Sequence, residues 1–202
     1  VEDVAFARSA GFDGVLVGEA VVRKPELVRP LQQILETKIS RFWERIFHLR
    51  NIYSRSSRPI IKVCGITCRH DAELAISLGA DILGFILAPS PRQVDKDFII
   101  SLTDLAVIKV GVVVNDSNEA KELVENGNLD AIQYHGDENP QVCFKLGFPY
   151  YKAVQINDHD SLKRRSLYNC PRVLVDSYDL NKRGGTGQRI KSELLPKGKH
   201  SQ

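Results

Sequence analysis

The chain has 202 residues, 43% hydrophobic and 26% charged, which is enough apolar material for a core of ordinary size, and no stretch approaches the roughly 18 uninterrupted apolar residues of a membrane span. A formal net charge of +3 is too small to imply a nucleic-acid partner, and the excess is local, since residues 23–58 hold nine Lys/Arg against three Asp/Glu. Four dispersed cysteines in a chain this long exclude a disulfide-stapled secreted domain and fit a reducing compartment, so the expected location is the cytoplasm.

The chain opens on Val1 and contains no methionine, so the native N-terminus is expected to lie upstream. "SAGFDGVLVG" (Ser9 to Gly18) reads as a helix end, a glycine, an aspartate and a strand. From Pro25 to Leu49 the apolar residues Leu27, Leu31, Leu35, Ile39, Phe42, Ile46 and Leu49 recur every three or four positions, the pattern of an amphipathic helix. Phe42 and Trp43 on or beside that stripe argue for packing rather than for nucleic-acid or membrane contact. Residues 50–59, ending in "NIYSRSSRP", read as a polar, basic linker.

Six apolar, β-branched runs then begin at Ile60, Ile82, Val107, Ala131, Tyr150 and Arg172, spaced 19 to 25 residues apart. Between them, "RHDAELAISLGA" places Ala72, Leu74, Ala75 and Leu78 near one face and stops at Gly79, and "SNEAKELVENGN" has a serine cap, an early Glu and a terminal Gly. Short runs apolar on both faces, each followed by a helix, predict a parallel sheet. Six consecutive units without a dinucleotide-binding glycine fingerprint favour a (β/α) barrel over a doubly wound sheet. The join of glycine, aspartate and strand recurs at "SLGADILGF" and "ENGNLDAIQ", where the glycine is expected to supply a left-handed helix cap.

In a parallel barrel the chemistry collects where strands finish. Those positions hold Cys64, then "SPRQV" with Arg92, then Asn115 and Asp116, then "QYHGDE" with Gln133 and His135, then Gln155, and last Asp176 followed by "RGGTG". Taken singly, Cys64 reads as an inert buried thiol, Asp176 as a strand-end cap, Arg92 as a solvated charge and "GGTG" as a flexible turn. Cys64, Cys68 and His70 fall short of the four ligands of a structural zinc site, so no metal is expected.

Taken together, "KVCGIT", "GADILGFILAPSPRQV", "VGVVVN", "LDAIQYHGDE", "KAVQI", "VLVDSYD" and "GGTGQR" resemble the successive strand-end motifs of phosphoribosylanthranilate isomerase, the aldose–ketose isomerase of tryptophan biosynthesis, over Ile60 to about Leu195. Residues 1–49, with "GFDGVLVGEAVVRKPE", are similar to the last strand and helix of indole-3-glycerol phosphate synthase, which some organisms fuse to the isomerase as a bifunctional lyase and isomerase. The resemblance implies a (β/α)8 barrel that is incomplete: a terminal unit of a preceding barrel over 1–49, a linker over 50–59, and an isomerase barrel over 60–202 that stops before strands seven and eight. Such a sheet would have open edges through which chains could associate, with Gly14 to Val17 a candidate to pair beside the first strand. The helix of residues 25–49 would have lost the barrel it normally covers.

For the site, the resemblance implies Cys64 as general base and Asp176 as general acid of an Amadori rearrangement, with Arg92 near the anthranilate end of the substrate. Gln133 and His135 would line the pocket, and the backbone of Gly184, Gly185, Thr186 and Gly187 would hold the phosphate. It implies a small phosphorylated substrate, no cofactor, and no nucleic-acid or membrane partner. A catalytically incomplete fragment of a bifunctional enzyme is the alternative expectation.

Overall fold

Alternation along each run decides which way every side chain faces, because successive residues of a strand point to opposite sides of the sheet. The computed structural model of the chain describes residues 23–24, 26, 38–54, 58–115, 117–144, 147–163, 167–168, 170–177, 190 and 192–194. Helix α1 (Lys38–Ser54) leads into β1 (Lys62–Cys64), α2 (Arg69–Ser77), β2 (Ile82–Ile86), α3 (Lys96–Ile100), β3 (Ile108–Val113) and α4 (Asn118–Glu125). There follow β4 (Ala131–Tyr134), α5 (Pro140–Phe144), β5 (Tyr150–Ile156), α6 (His159–Lys163), β6 (Val173–Ser177) and a 3-10 turn at Ser192–Leu194. The six strands pair in parallel in chain order, β1 through β6, as a half-barrel. The expected alternation of strand and helix is borne out. The strand proposed at Gly14 to Val17 lies outside the described residues.

Parallel partners share a face, so the register separates two layers. Leu83, Phe85, Ile132 and Tyr134 point outward and bury against Ala72 of α2, Ile99 of α3 and Ala120, Leu123 and Val124 of α4. Ile82, Ile108, Val110 and Ala131 point inward. The outward layer needs helices that present a matching face. Ser117 caps α4, its hydroxyl accepting from Ala120 N–H, and Asp95 caps α3 in the same way through Phe98 N–H. Helix α2 differs from expectation: Ala72, Ala75 and Ile76 meet the core, whereas Leu74 and Leu78 are exposed. At 3.6 residues per turn those two leucines lie roughly 200° and 240° around from Ala72, on the far side of the helix. Gly79 and Gly127 carry φ of +92° and +79° in the turns that follow α2 and α4, as the recurring join requires.

The aspartate of that join has its own task. Asp81 N–H donates to Ile61 O, and Ile61 N–H returns a bond to Asp81 Oδ2 at 2.8 Å. Asp130 repeats this with Lys109, whose N–H donates to Asp130 Oδ2 at 2.8 Å. Each carboxylate thus ties the start of its own strand to the strand before it. The second oxygen of each then holds the segment around α1: Arg45 reaches Asp130 Oδ1 at 2.5 Å, and Tyr53 OH and Arg58 reach Asp81 Oδ1 at 2.7 and 3.2 Å. Burial pushes the Asp81 carboxyl up, but these donors outweigh it and hold the group below its usual value.

Helix α1 therefore lies across the N-terminal ends of the strands. Phe42 and Trp43, each 3% exposed, pack edge-to-face at 5.0 Å and fill the interior below Ile82, Ile108, Val110 and Ala131. One expectation is corrected here: residues 50–54 continue the helix instead of beginning a linker. The apolar face, expected to lack its normal partner, is covered by the six-stranded sheet. Its earlier stripe residues Leu27, Leu31 and Leu35 lie outside the described residues. Among the described residues β1 and β6 form the outer strands, where Val63 and Leu174 are exposed, as is Ile61 just before β1.

Truncating Trp43 to alanine removes the largest side chain of this floor. The expected loss is about 3–5 kcal/mol of unfolding free energy, the usual cost of deleting a buried aromatic, read from urea denaturation. A loss under about 1 kcal/mol would show that α1 contributes little to the sheet.

Candidate active site

Above that floor the inward-facing positions turn polar. Lys62 and Cys64 come from β1, Gln133 and then His135 from β4, Tyr151 and Gln155 from β5, and Asp176 from β6, all on the parity of the inner layer. Room for the first two is made by Gly84 on the neighbouring strand: a Cβ there would lie 2.7 Å from Cys64 Sγ and 3.0 Å from Lys62 Cε. A glycine inside a buried strand is otherwise destabilising, so its cost is explained by the side chains it admits. Arg92, after β2, leans over the end of β1. Its guanidinium donates to Cys64 O at 3.2 Å and occupies the space that a side chain at Gly65 would need.

One continuous set of hydrogen bonds crosses the interior. Lys62 Nζ lies 3.6 Å from Cys64 Sγ and 2.5 Å from Gln133 Oε1, which also accepts from Tyr151 OH at 3.0 Å. Gln133 Nε2 meets His135 Nδ1 at 3.1 Å, and His135 Nε2 meets Asp176 Oδ2 at 3.0 Å. The donor inventory fixes the direction of every link. An ammonium has no acceptor, so the atom facing Lys62 is the amide oxygen of Gln133, which leaves the amide N–H to donate to Nδ1 of His135. The imidazole then carries its proton on Nε2 and donates it to Asp176. Tyr151 is a dependable donor because burial, aided by the charge of Cys64, pushes its phenol far above the usual value.

The consequence for Asp176 is specific. Its bond from His135 is the largest effect and holds the carboxyl below the usual range, against burial, while Ser177 N–H adds a bond to Oδ1 at 2.8 Å. In the unliganded site Asp176 is a carboxylate, whereas a general acid must hold a proton. Beside it, Gln155 Nε2 is buried with no hydrogen-bond partner among the described residues.

Behind the site, Glu138 and Lys152 form a buried pair at 3.1 Å, their side chains 5% and 4% exposed. Glu138 Oε1 accepts from Gly136 N–H and Asn115 N–H, joining the loops after β4 and β3, while Lys152 Nζ donates to the carbonyls of Tyr134 and Gly136. Asn115 adopts φ of 64°, a conformation asparagine tolerates better than most side chains. This clamp fixes the backbone on either side of His135.

Of the residues singled out in the sequence, the structure brings Cys64, Arg92, Gln133, His135 and Asp176 to one mouth. Gly184, Gly185, Thr186 and Gly187 lie outside the described residues. Sequence reasoning missed Lys62, Tyr151, Glu138 and Lys152. The first two sit at inward parity in runs that were read only as apolar strands. Among the described residues no group of three or more His, Cys, Asp and Glu could hold a metal ion, and no helix is long and apolar enough to cross a membrane.

A family model described as N-(5'-phosphoribosyl)anthranilate (PRA) isomerase matches residues 61–202. The chain belongs to the phosphoribosylanthranilate isomerase family. It is 39% identical over 140 residues to the N-(5'-phosphoribosyl)anthranilate isomerase of Clostridium acetobutylicum, covering 67% of this chain and 68% of that one. Among solved structures it is similar to phosphoribosyl anthranilate isomerase from Thermus thermophilus, with a TM-score of 0.57 and 31% identity over 67% of this chain and 69% of that one. A further isomerase, solved in complex with reduced 1-(o-carboxyphenylamino)-1-deoxyribulose 5-phosphate, gives a TM-score of 0.52 and 29% identity over 60% and 66% of the two chains. The expected function, phosphoribosylanthranilate isomerisation in tryptophan biosynthesis, is borne out. The matching family segment begins after α1.

Replacing His135 with alanine removes the donor that lowers Asp176 while leaving most of its burial. The Asp176 midpoint is expected to rise, so that its ionisation is lost at a higher pH on acidification than in the unsubstituted protein. Carboxyl-carbon NMR titration reads this directly, and an unmoved midpoint would separate the two residues.

Proposed function

We propose that Cys64 is the general base and Asp176 the general acid of this isomerase, with Arg92 directed at the substrate carboxylate. Protonation of the ribose ring oxygen by Asp176 lets the ring open to a Schiff base. A thiolate at Cys64 then removes the proton from C2 to give a neutral enaminol, which becomes the aminoketone as the Cys64 thiol returns its proton to C1 and the C2 hydroxyl gives its proton to the Asp176 carboxylate. Acid and base each end as they began, and the substrate changes only its connectivity, as an isomerisation demands. The observation that carries this reading is the placement of Cys64 and Asp176 on one interior, joined through Lys62, Gln133 and His135.

The carboxylate state of Asp176 in the unliganded site fits this role once the substrate is considered. A phosphate and an anthranilate carboxylate bring negative charge into the pocket, and like charge raises the pKa of a carboxyl. Asp176 thus takes up its proton as the substrate arrives. Arg92 supplies a planar fork that can pair with a carboxylate through two parallel bonds, and the orphaned Gln155 amide suits a substrate hydroxyl. The phosphate falls to the backbone of Gly184, Gly185, Thr186 and Gly187, where a glycine-rich turn lets N–H groups approach an anion. No resident cofactor is needed, because every proton transfer has a named side chain.

Residues 1–49 are assigned to the end of a synthase-like unit on the similarity of "GFDGVLVGEAVVRKPE" alone, with α1 serving as a floor for the isomerase sheet. Exposed Val63 and Leu174 on the outer strands, with Ile61 just before β1, support association of chains there.

Asp176→Asn keeps shape but cannot donate the proton. Turnover is expected to fall by about 10² to 10⁴ with the Michaelis constant changed little, measured by loss of phosphoribosylanthranilate fluorescence. A loss below about tenfold removes Asp176 from the role.

A further inference from the structure

We propose that Lys62 is a positioning residue for the base: its ammonium, held between Gln133 and Cys64 inside the half-barrel, sets the thiolate form of Cys64. The proposal rests on the reading of Cys64 as the base and adds what charges it. A free thiol has a pKa of about 8.5, so at neutral pH only a few per cent is ionised unless a cation stands beside it. Cys64 closes a strand and does not itself open a helix. Arg92 reaches its backbone carbonyl, not its sulfur.

Among the described residues Lys62 Nζ is the cation that meets the sulfur, at 3.6 Å. Its position is not that of a wandering surface lysine. Gln133 Oε1 anchors it at 2.5 Å, the Tyr151 ring faces it at 5.9 Å, and Gln133 itself is 2% exposed and fixed from its other side by His135. Gly84 leaves the space through which both Lys62 and Cys64 enter the interior. Among the described residues Cys64 faces Lys62 on its own strand, Arg92 from the loop after β2 and Tyr151 from β5, with Gln133, His135 and Asp176 farther along the network. Tyr151 stays neutral, so the balance at the sulfur is set by cations. Burial is the larger effect and holds the Lys62 ammonium below its usual value, while the neighbouring thiolate pushes it back part of the way, so the charged lysine and the charged sulfur favour each other.

The same ammonium orients the Gln133 amide, and through it the tautomer of His135. One side chain therefore prepares the base directly and the acid's partner indirectly.

The test is the pH dependence of Cys64 alkylation by iodoacetamide in the purified chain, resolved by peptide mass spectrometry, with exposed Cys68 as the internal reference for reagent access. No substrate is involved. In Lys62→Gln the alkylation profile of Cys64 should move to higher pH, slowing alkylation at neutral pH severalfold, less than the loss of thiolate alone would give because the more basic thiolate is also the better nucleophile. Lys62→Arg, which keeps the charge, should retain most of the lowering. A Lys62→Gln profile that superimposes on the parent overturns the proposal, even if turnover falls. So does a Lys62→Arg profile displaced as far as that of Lys62→Gln. Should Lys62→Gln fail to fold by circular dichroism, a parent midpoint at or above ~8.5 overturns it equally. Failure of the base assignment shows separately, as a Cys64→Ala protein that keeps its turnover.

Discussion

Two-residue alternation in a parallel register is the constraint from which the rest follows. It sends Leu83, Phe85, Ile132 and Tyr134 out to the helices and turns Lys62, Cys64, Gln133, Tyr151, Gln155 and Asp176 into one interior. A slip of one residue in any strand would exchange those sets, burying charge among the helices and lining the pocket with apolar groups. The aspartates of the recurring join guard against this. Asp81 and Asp130 each bond the backbone of the preceding strand at its first residues, pinning the register where the strand begins.

The same two carboxylates fasten the floor of the half-barrel to the starts of its strands. Their second oxygens hold Arg45, Tyr53 and Arg58, so that α1 lies against the strand starts and Phe42 and Trp43 fill the lower interior. With the bottom filled by apolar side chains, the polar network above it rests on a dry base, where hydrogen bonds are stronger and an unpaired donor is costly. The Gln155 amide is such a donor, placed beside Asp176. The basic charge concentrated in residues 23–58 finds a structural use in part, since Arg45 and Arg58 are paired with the sheet.

Much of this was legible in the residues. The spacing of apolar runs located all six strands within two residues, and the glycine caps at Gly79 and Gly127 were read correctly because a left-handed cap is a local requirement. The paired aspartates were not understood, because their partners are backbone groups of another strand about twenty residues away. Helix α2 was misread at Leu74 and Leu78, where hydrophobicity was given more weight than the angle each residue makes on the helix. The surface that α1 covers was not foreseen for a different reason: the resemblance named the barrel it would cover elsewhere, and no pattern in the sequence says which other surface is equally apolar. Within the site, Cys64, Arg92, Gln133, His135 and Asp176 came from motifs, whereas Lys62 and Tyr151 required knowing which face of β1 and β5 looks inward. Glu138 and Lys152 pair across two strands, which no local spacing signals.

The central claim is that these inward groups form one oriented network, with the direction of every hydrogen bond dictated by the Lys62 ammonium. Its most direct test is long-range nitrogen–proton NMR of the His135 imidazole in the unliganded protein at neutral pH. The account predicts a neutral ring with its proton on Nε2, facing Asp176, and Nδ1 accepting from Gln133. A proton found on Nδ1, or a ring averaging between the two tautomers, would contradict it.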